Sequence, residues 1–360
     1  MTRIIYIPFD QLNIRRGAMR IANKASDHIV LVESQRMITG RAWHRQRLQF
    51  LMSSARHFAR ELEDDGWRVS YLKSVTTVEG LSSFRDSNGN SEIVCAEPNS
   101  FRLTDQLQAL GAAFVPNDFF LTPKSLFREW ADAQSTFTME NFYRAQRRRL
   151  DVLMDKGRPV GGSWNYDAEN RLPPPKQHDW GNTLQFAADD IDAQVSAELP
   201  GMAWGDLGPK IWGTTRAEAL QQLDHFLNQH FEQFGPYEDA MPTDTWAAHH
   251  SLLSPYLNNG LLLAEEVVEA ALAKFEEGTI PLASCEGFIR QIIGWREYVY
   301  GMYWYLGEEY RENNGLNATA RLLPLYRDPE TTHMNCVRSI VTDIQHYGWT
   351  HHIPRLMVLS

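Results

Sequence analysis

The first third of the chain alternates short apolar runs with longer segments in which apolar residues recur every three or four positions. Runs of the first kind are typical of buried strands, and segments of the second kind predict helices with one buried face. The pattern predicts strands at Arg3–Phe9, Ile29–Glu33, Trp67–Leu72 and Ile93–Ala96, and helices at Trp43–Leu62 and Leu103–Leu110. Repeated strand–helix–strand units indicate an α/β domain with a Rossmann-like parallel sheet that carries helices on both faces.

The pattern changes after residue 125. A helix containing Trp130 leads into a basic segment, Arg144–Arg149, and from there into a stretch that begins with Gly161 and Gly162 and ends in three prolines at Pro175. Paired glycines and consecutive prolines indicate irregular backbone. We therefore expect residues 1–125 to form the α/β domain and residues 126–205 to form a connector.

The last part of the chain has helical spacing throughout. Beyond Thr214 the pattern predicts helices at Arg216–Phe234, Leu263–Phe275, Cys285–Tyr305 and Met334–His346. We expect residues 206–360 to form an all-α domain. The apolar run at Arg355–Ser360 indicates that this domain is incomplete at its C-terminus. That run has neither a glycine stop nor a basic last turn, so it predicts an interrupted helix.

Composition and charge limit the classes of function. No GxGxxG motif follows a predicted strand, which argues against a nicotinamide dinucleotide site. The net charge of −10 argues against nonspecific polyanion binding by the whole surface, but it leaves a local basic groove open. Arg144–Arg149 predicts either such a groove or a solvated helix face.

The compartment is inferred from cysteine usage and hydropathy. The three cysteines have no metal-binding spacing, which favours a reducing compartment. No apolar run is long enough to span a bilayer, and no signal peptide is apparent, so we expect a cytoplasmic protein without a membrane partner. No protein partner is inferred.

A candidate anion site lies at Ser254 and Pro255. Serine is a favoured N-cap and proline a favoured first helical residue, so the pair predicts a helix start. Free amides at such a start suit a phosphate, and Ser251 adds a second hydroxyl nearby. A serine cap without any ligand explains the pair as well.

A second segment, Phe288–Tyr298, predicts a helix whose apolar stripe includes Trp295. This prediction places Arg290, Arg296 and Glu297 on the polar flanks of the stripe.

In this order, these segments resemble the flavin domain of the photolyase/cryptochrome family. The resemblance is to its bacterial iron–sulfur branch, some members of which repair (6-4) photoproducts, and it runs essentially from residue 1 to residue 360. Six local signatures carry it: Asp10–Asn13, Arg56–Leu62, Gly161–Arg171, Phe288–Tyr298, His333–Cys336 and Tyr347–Ile353.

The resemblance implies a cofactor, FAD, bound in the helical domain. The residues it assigns to the FAD region are Ser251, Leu253, Ser254, Asn258, Trp295 and Arg296. It further implies a light-dependent lyase that passes an electron from reduced FAD to a UV photoproduct in DNA. UV-damaged DNA is the implied partner. Two other interpretations remain open, a blue-light photosensor without repair activity and an inactive truncated fragment.

By the same resemblance, His351 and His352 are the catalytic residues. Neighbouring helical positions diverge by about 100°, so only one of the pair can face a cavity directly. The resemblance assigns the proton donor to His352 and its partner to His351. A histidine pair that only caps a helix is the structural alternative.

Two further cofactors are implied by the branch. Asp10 and Glu33 match positions that hold an antenna pigment, 6,7-dimethyl-8-ribityllumazine, although Phe9 replaces the glycine that usually precedes the aspartate. Cys336 matches one ligand of a [4Fe–4S] cluster. The other three ligands have no counterpart in this chain, so the resemblance implies the cluster only if a further C-terminal region is present.

Overall fold

The computed structural model describes residues 2–359. A five-stranded parallel sheet forms the core of the N-terminal part, in the order β3-β2-β1-β4-β5. Its strands are Ile4–Tyr6 (β1), His28–Ser34 (β2), Val69–Ser74 (β3), Ile93–Ala96 (β4) and Ala113–Val115 (β5). The predicted α/β class is confirmed. The first strand is shorter than expected, and β5 was not predicted.

Helices cover both faces of this sheet, as the strand–helix alternation predicts. The helices of this part are Gln35–Thr39 (α1), Arg45–Asp64 (α2), Thr77–Ser87 (α3) and Phe101–Ala109 (α4). Alternate residues of each strand point to opposite faces. Accordingly, Ile5 and Ile29 share a core with Phe58 of α2, while Tyr6 and Val32 belong to the core on the opposite face.

The connector contains more regular structure than its sequence indicates. Its helices are Lys124–Asp132 (α5), Met139–Leu150 (α6) and Asp190–Glu198 (α7), with a short hairpin of Met154–Asp155 (β6) and Arg158–Pro159 (β7). Helix α7 packs against α2. Asp189 caps α7 and accepts a hydrogen bond from His57 of α2 at 2.8 Å, which fastens the connector to the α/β part.

The remaining residues form the helical part. Its helices are Arg216–His225 (α8), Phe231–Phe234 (α9), Ser254–Asn259 (α10), Ala264–Glu276 (α11), Leu282–Ile289 (α12), Glu297–Leu306 (α13), Asn335–Tyr347 (α14) and His352–Pro354 (α15). Phe226–His230, Arg290–Arg296 and Arg355–Leu359 are π-helical. The prediction of helix throughout is wrong between α13 and α14, where only short 3₁₀ turns occur.

The π-helical turn at Arg290–Arg296 overturns the predicted orientation of its helix. Trp295 is 45% exposed, whereas Glu297 is fully buried and Arg290 nearly so. A π turn inserts one extra residue and rotates the rest of the helix, so the predicted apolar stripe loses its register. The buried charges are paired, Arg290 with Glu286 at 3.3 Å and Arg296 with Glu297 at 3.0 Å.

The predicted apolar run at the end of the chain is only partly included in the described residues. Ser360, the last residue of the apolar run, lies beyond the described residues. Among residues 2–359, no helix combines the length and the apolar character that crossing a membrane requires.

Candidate functional site: a histidine-lined cavity beside helix α10

The turn before α10 has an unusual backbone. Leu252 has a φ of +57°, a left-handed conformation that costs a non-glycine residue about 1–2 kcal/mol. The helix begins one residue earlier than predicted, since Leu253 is the N-cap and Ser254 is the first helical residue. No side chain caps this helix, because Leu253 has no polar side-chain atom, and the hydroxyl of Ser251 accepts a hydrogen bond from the Leu253 amide at 3.4 Å. Strained backbone of this kind is concentrated at functional sites.

A cavity, called the central cavity here, opens beside this turn. Six of the predicted site residues line it: Ser251, Leu253, Ser254, Asn258, Arg296 and His352. They come from the turn before α10, from α10 itself, from the π-helical turn and from α15, so the fold assembles them from distant parts of the sequence.

Two predicted residues are not part of the wall of the cavity. Trp295 points to the surface, where its ring contacts Tyr298, because of the register change described above. His351 is buried behind the wall. Trp295, which the resemblance assigns to the FAD region, therefore does not line the cavity, and the separation of His351 from His352 agrees with the divergence of neighbouring positions.

Three histidine rings meet at one side of the cavity. His250 stacks on His351 with ring centroids 4.3 Å apart, and both rings contact His352 edge-on at 5.8 Å. One ring nitrogen from each residue lies within 4.8 Å of the others. This group, the histidine triad, joins residues that are about one hundred positions apart in the sequence.

Burial keeps the triad largely neutral. Burial and, to a smaller extent, the neighbouring His352 lower the pKa of His351 to about 3. Burial also lowers the pKa of His250, together with the nearby His351 and His352. The pKa of His352 is lowered by burial and raised in part by Asp239. A hydrogen bond between His352 Nε2 and Asp239 Oδ1, 3.1 Å apart, accounts for this smaller displacement.

A buried carboxyl group, Glu238, forms another part of the wall. Burial raises its pKa to about 7, against the opposing effect of Arg290. Gln291 donates a hydrogen bond to it at 2.7 Å, and Asn170 donates another at 3.1 Å. Glu238 can therefore change its charge near neutral pH, a property that is frequent at functional sites.

Arg296 makes structural contacts and also has one donor atom without a hydrogen-bond partner among the described residues. Its Nη2 donates to the carbonyl of Leu257 at 3.2 Å, which ties the end of α10 to the π-helical turn. Its guanidinium lies 4.0 Å from the centre of the Phe120 ring. The buried Nε has no hydrogen-bond partner among the described residues, so this donor is free to serve a ligand.

A second cavity lies at the carboxyl edge of the sheet. Phe9, Asp10, Ser34, Thr76 and Ser100 are among the residues that line it. Asp10 accepts a hydrogen bond from Asn99 at 3.1 Å, and burial raises its pKa.

Glu33 is not part of this cavity. Its carboxylate receives Arg56 at 2.9 Å and the Tyr71 hydroxyl at 2.6 Å. Of the two residues predicted for the antenna, only Asp10 borders the open space.

A third opening joins the two cavities. It shares Asp10 with the cavity at the sheet edge, and it shares Ser254, Asn258 and Trp349 with the central cavity. Ligand sites in open parallel sheets commonly lie at the carboxyl ends of the strands. Here that edge faces the helical part, so one crevice runs from the sheet to the histidine triad.

The cysteines do not converge. Cys95 and Cys285 are buried, and burial raises the pKa of each thiol to about 12, whereas Cys336 is exposed. An iron–sulfur cluster needs four ligands, normally thiolates. The described residues therefore do not fit such a cluster, and Cys336 stays a prediction for a single ligand.

The basic segment of α6 has a largely structural role. Arg147 is fully buried and donates to the carbonyls of Val152 at 3.2 Å and Trp164 at 2.8 Å. Arg148 lies over the Trp164 ring, 4.5 Å from its centre. These contacts stabilise the start of the connector, so at most part of the segment is available for nucleic acid.

Comparison with known proteins identifies the family of the chain. Residues 5–212 match the sequence profile of the family described as deoxyribodipyrimidine photo-lyase-related protein. Over 99% of its length the chain is 36% identical to a (6-4) photolyase of Agrobacterium fabrum, of which it covers 73%. The chain belongs to this family.

Two further similarities extend the comparison. An uncharacterized protein of Acanthamoeba polyphaga mimivirus is 22% identical to this photolyase-related chain over 48% of its length, covering 90% of the viral protein. The fold is similar to that of a class III photolyase from Agrobacterium tumefaciens, with a TM-score of 0.61 and 16% identity. That alignment covers 99% of this chain and 72% of the other.

Sequence reasoning missed three residues of the site in this photolyase-related chain. His250, Glu238 and Asp239 lie in an irregular segment without periodicity, where no pattern indicates which side chains face inward. One signal was available, because His250 directly precedes the predicted anion site at Ser251.

Proposed function

We propose that this chain is a flavin-dependent, photolyase-like lyase that repairs a UV photoproduct in DNA, with the (6-4) photoproduct as its lesion. Family membership and 36% identity to a (6-4) photolyase support this proposal. The single observation that carries it is the central cavity, which brings His352 to the same space as Ser251, Ser254 and Arg296.

The residues of the crevice fit FAD. The central cavity has a volume of about 220 Å³ and the adjoining opening about 310 Å³. Taken together they fall within the range of roughly 300–1,000 Å³ that small-molecule sites occupy. The uncapped start of α10 and the hydroxyl groups of Ser251 and Ser254 suit a diphosphate, and Arg296 Nε offers a buried donor without a protein partner among the described residues.

When bound, reduced FAD supplies the light-driven electron. The protein side chains hold the cofactor and control the proton. Asp239, as an acceptor, binds the Nε2–H of His352 and leaves Nδ1 of that ring for exchange with the lesion. Asp239 favours the protonated form of His352, against the larger opposing effect of burial on its pKa. His352 then delivers a proton as the lesion receives negative charge.

The cavity at the sheet edge is the proposed site of a ribityllumazine antenna. Asp10 would accept hydrogen bonds from the ligand there, and Ser34, Thr76 and Ser100 offer further hydroxyl groups. Phe9 stacks on Tyr71, with ring centroids 6.1 Å apart, and contributes an aromatic wall. Cytoplasmic location is part of the same proposal, since the substrate is genomic DNA.

The test is a repair assay with a flavin readout. The purified chain is desalted, its absorption spectrum is recorded, and a (6-4)-containing oligonucleotide is illuminated with the reduced protein. We expect a flavin band and light-dependent loss of the lesion, and His352→Ala should abolish repair while keeping the flavin. A flavin band without repair of any photoproduct would support a photosensor instead. A colourless protein that repairs nothing would contradict the proposal.

A further inference from the structure

His250 occupies a position in the cavity wall that His351 does not. Its side chain borders the central cavity beside His352, while His351 is buried behind both. The two cavity-facing rings lie 5.8 Å apart and almost perpendicular, at 81°.

The hydrogen bonds of His250 define which of its nitrogens is reactive. Its buried Nε2 has no hydrogen-bond partner among the described residues. The backbone carbonyl of Glu238 favours the protonated form of the same ring. A carbonyl only accepts hydrogen bonds and Nε2 is unpartnered, so we assign the proton that faces this carbonyl to Nδ1. The neutral ring therefore carries its proton on Nδ1 and presents a bare lone pair at Nε2.

We propose that His250 is a second proton-carrying residue of the central cavity, exchanging a proton with His352 through its free Nε2. This proposal rests on the proposed function, in which His352 is the proton donor, and it adds a residue that the histidine pair does not include. One ring nitrogen of each triad residue lies within 4.8 Å of the others, a separation that one bridging water or one substrate atom can span.

Only a proton moves in this exchange. It leaves a ring nitrogen of His352, passes through the bridging molecule, and binds the lone pair on Nε2 of His250. The reverse transfer restores both rings, and no electron is gained or lost by either residue. His250 thus holds the shared proton and returns it to His352, which gives it to the lesion.

The charges around the two rings favour one shared proton. His249, His351 and His352 all oppose a charge on His250, while the carbonyl of Glu238 favours it. Asp239 favours a charge on His352, and Arg290 and Arg355 oppose it. Two imidazolium rings this close would repel each other strongly, so protonation of one disfavours protonation of the other. This coupling permits transfer in either direction.

A purely structural role is the competing explanation. The stack of His250 on His351 also fills space beside Phe234, whose ring centroid lies 5.9 Å from that of His250. An aromatic residue without ring nitrogens would preserve this packing. A variant that keeps the stacked ring but has no ring nitrogen therefore distinguishes the structural role from the proton-carrying role.

The first test measures the tautomer of His250 in the dark and without DNA. Nitrogen NMR of histidine-labelled protein at neutral pH reports which ring nitrogen is protonated, and His250→Asn identifies the signal. We expect a proton on Nδ1 and none on Nε2. A proton on Nε2 would overturn the proposal. This measurement needs no repair activity, so its failure is distinct from failure of the proposed function.

The second test compares His250→Asn and His250→Phe with the unchanged chain. Asparagine keeps an amide near Nδ1, phenylalanine keeps the stack, and neither has a titrating Nε2. We expect both to bind flavin normally, to repair about a hundredfold more slowly, and to lose the pH dependence of the rate. Rates and pH profiles unchanged in both variants would overturn the proposal, and so would flavin loss in both, since His250 would then hold the cofactor.

Discussion

The Oδ1 atom of Asp239 lies 3.1 Å from Nε2 of His352, and this contact determines which nitrogen of the ring faces the cavity. An ionised carboxylate only accepts hydrogen bonds, so the proton of the neutral ring lies on Nε2 and the free lone pair on Nδ1. Asp239 also raises the pKa of His352, against the larger effect of burial. One side chain therefore sets both the tautomer and the charge of the proposed proton donor.

The first prediction concerns Asp239→Asn. The neutral amide no longer favours the protonated ring and can bind either tautomer, so the pKa of His352 falls further below its ordinary value. We expect slower repair at neutral pH and a pH–rate profile displaced toward acidic pH, measured under single turnover. Asp86→Asn, at an exposed position on α3, is the matched control. An unchanged profile in Asp239→Asn would show that this carboxylate does not act on the reaction.

The second prediction concerns the stability contributed by Glu238. Its pKa of about 7 is higher than that of an unfolded glutamate, so the folded state binds more protons between about pH 4.5 and 7. Folding stability from this group is then fully present below that window and falls as the pH rises through it. Glu238→Gln cannot ionise, so its melting temperature should rise relative to the unchanged chain between pH 5 and 8. Thermal unfolding at several pH values measures the difference, and a constant offset would contradict the assignment.

The sequence predicted elements best where a pattern is local. Ile93–Ala96 is an uninterrupted apolar run, and its bounds match those of β4. Gly66 ends the region of α2 with a φ of +81°, as a glycine stop should. In both cases the signal for the element lies within a few neighbouring residues, so it can be recognised without knowledge of the tertiary contacts.

Prediction from the sequence failed where the structure depends on contacts between residues far apart in the chain, or where a π-helical turn interrupts the helical period of apolar residues. The π-helical turn at Arg290–Arg296 depends on packing against α6 and not on a spacing signal. Cβ of an alanine at Gly294 would lie 3.1 Å from Met139 and 3.3 Å from Tyr143, so the two helices approach closely there. His250 meets His351 only because the chain returns a hundred residues later. No local pattern encodes that return.

The third prediction concerns the buried carboxylate of Glu297. It accepts hydrogen bonds from the Thr122 amide at 2.7 Å and from Arg296 at 3.0 Å, which joins α13 to the end of the α/β part. Glu297→Ala leaves Arg296 buried without a counter-charge, and we expect a loss of about 3–5 kcal/mol in the free energy of unfolding. Urea denaturation measures it, with Glu308→Ala at the surface as the control. Similar midpoints for the two variants would refute the pairing.

The last prediction separates ligand binding from stability at α10. Ser254→Asp places a carboxylate in the first turn of a helix, where a negative charge stabilises the folded protein by about 0.3–1 kcal/mol. The same charge repels a diphosphate, so we expect less flavin to stay bound after desalting although the melting temperature of the flavin-free protein does not fall. Ser254→Asn has nearly the same size without the charge and should keep more flavin. Equal flavin content in the two variants would place the diphosphate away from this helix start, whatever their stability.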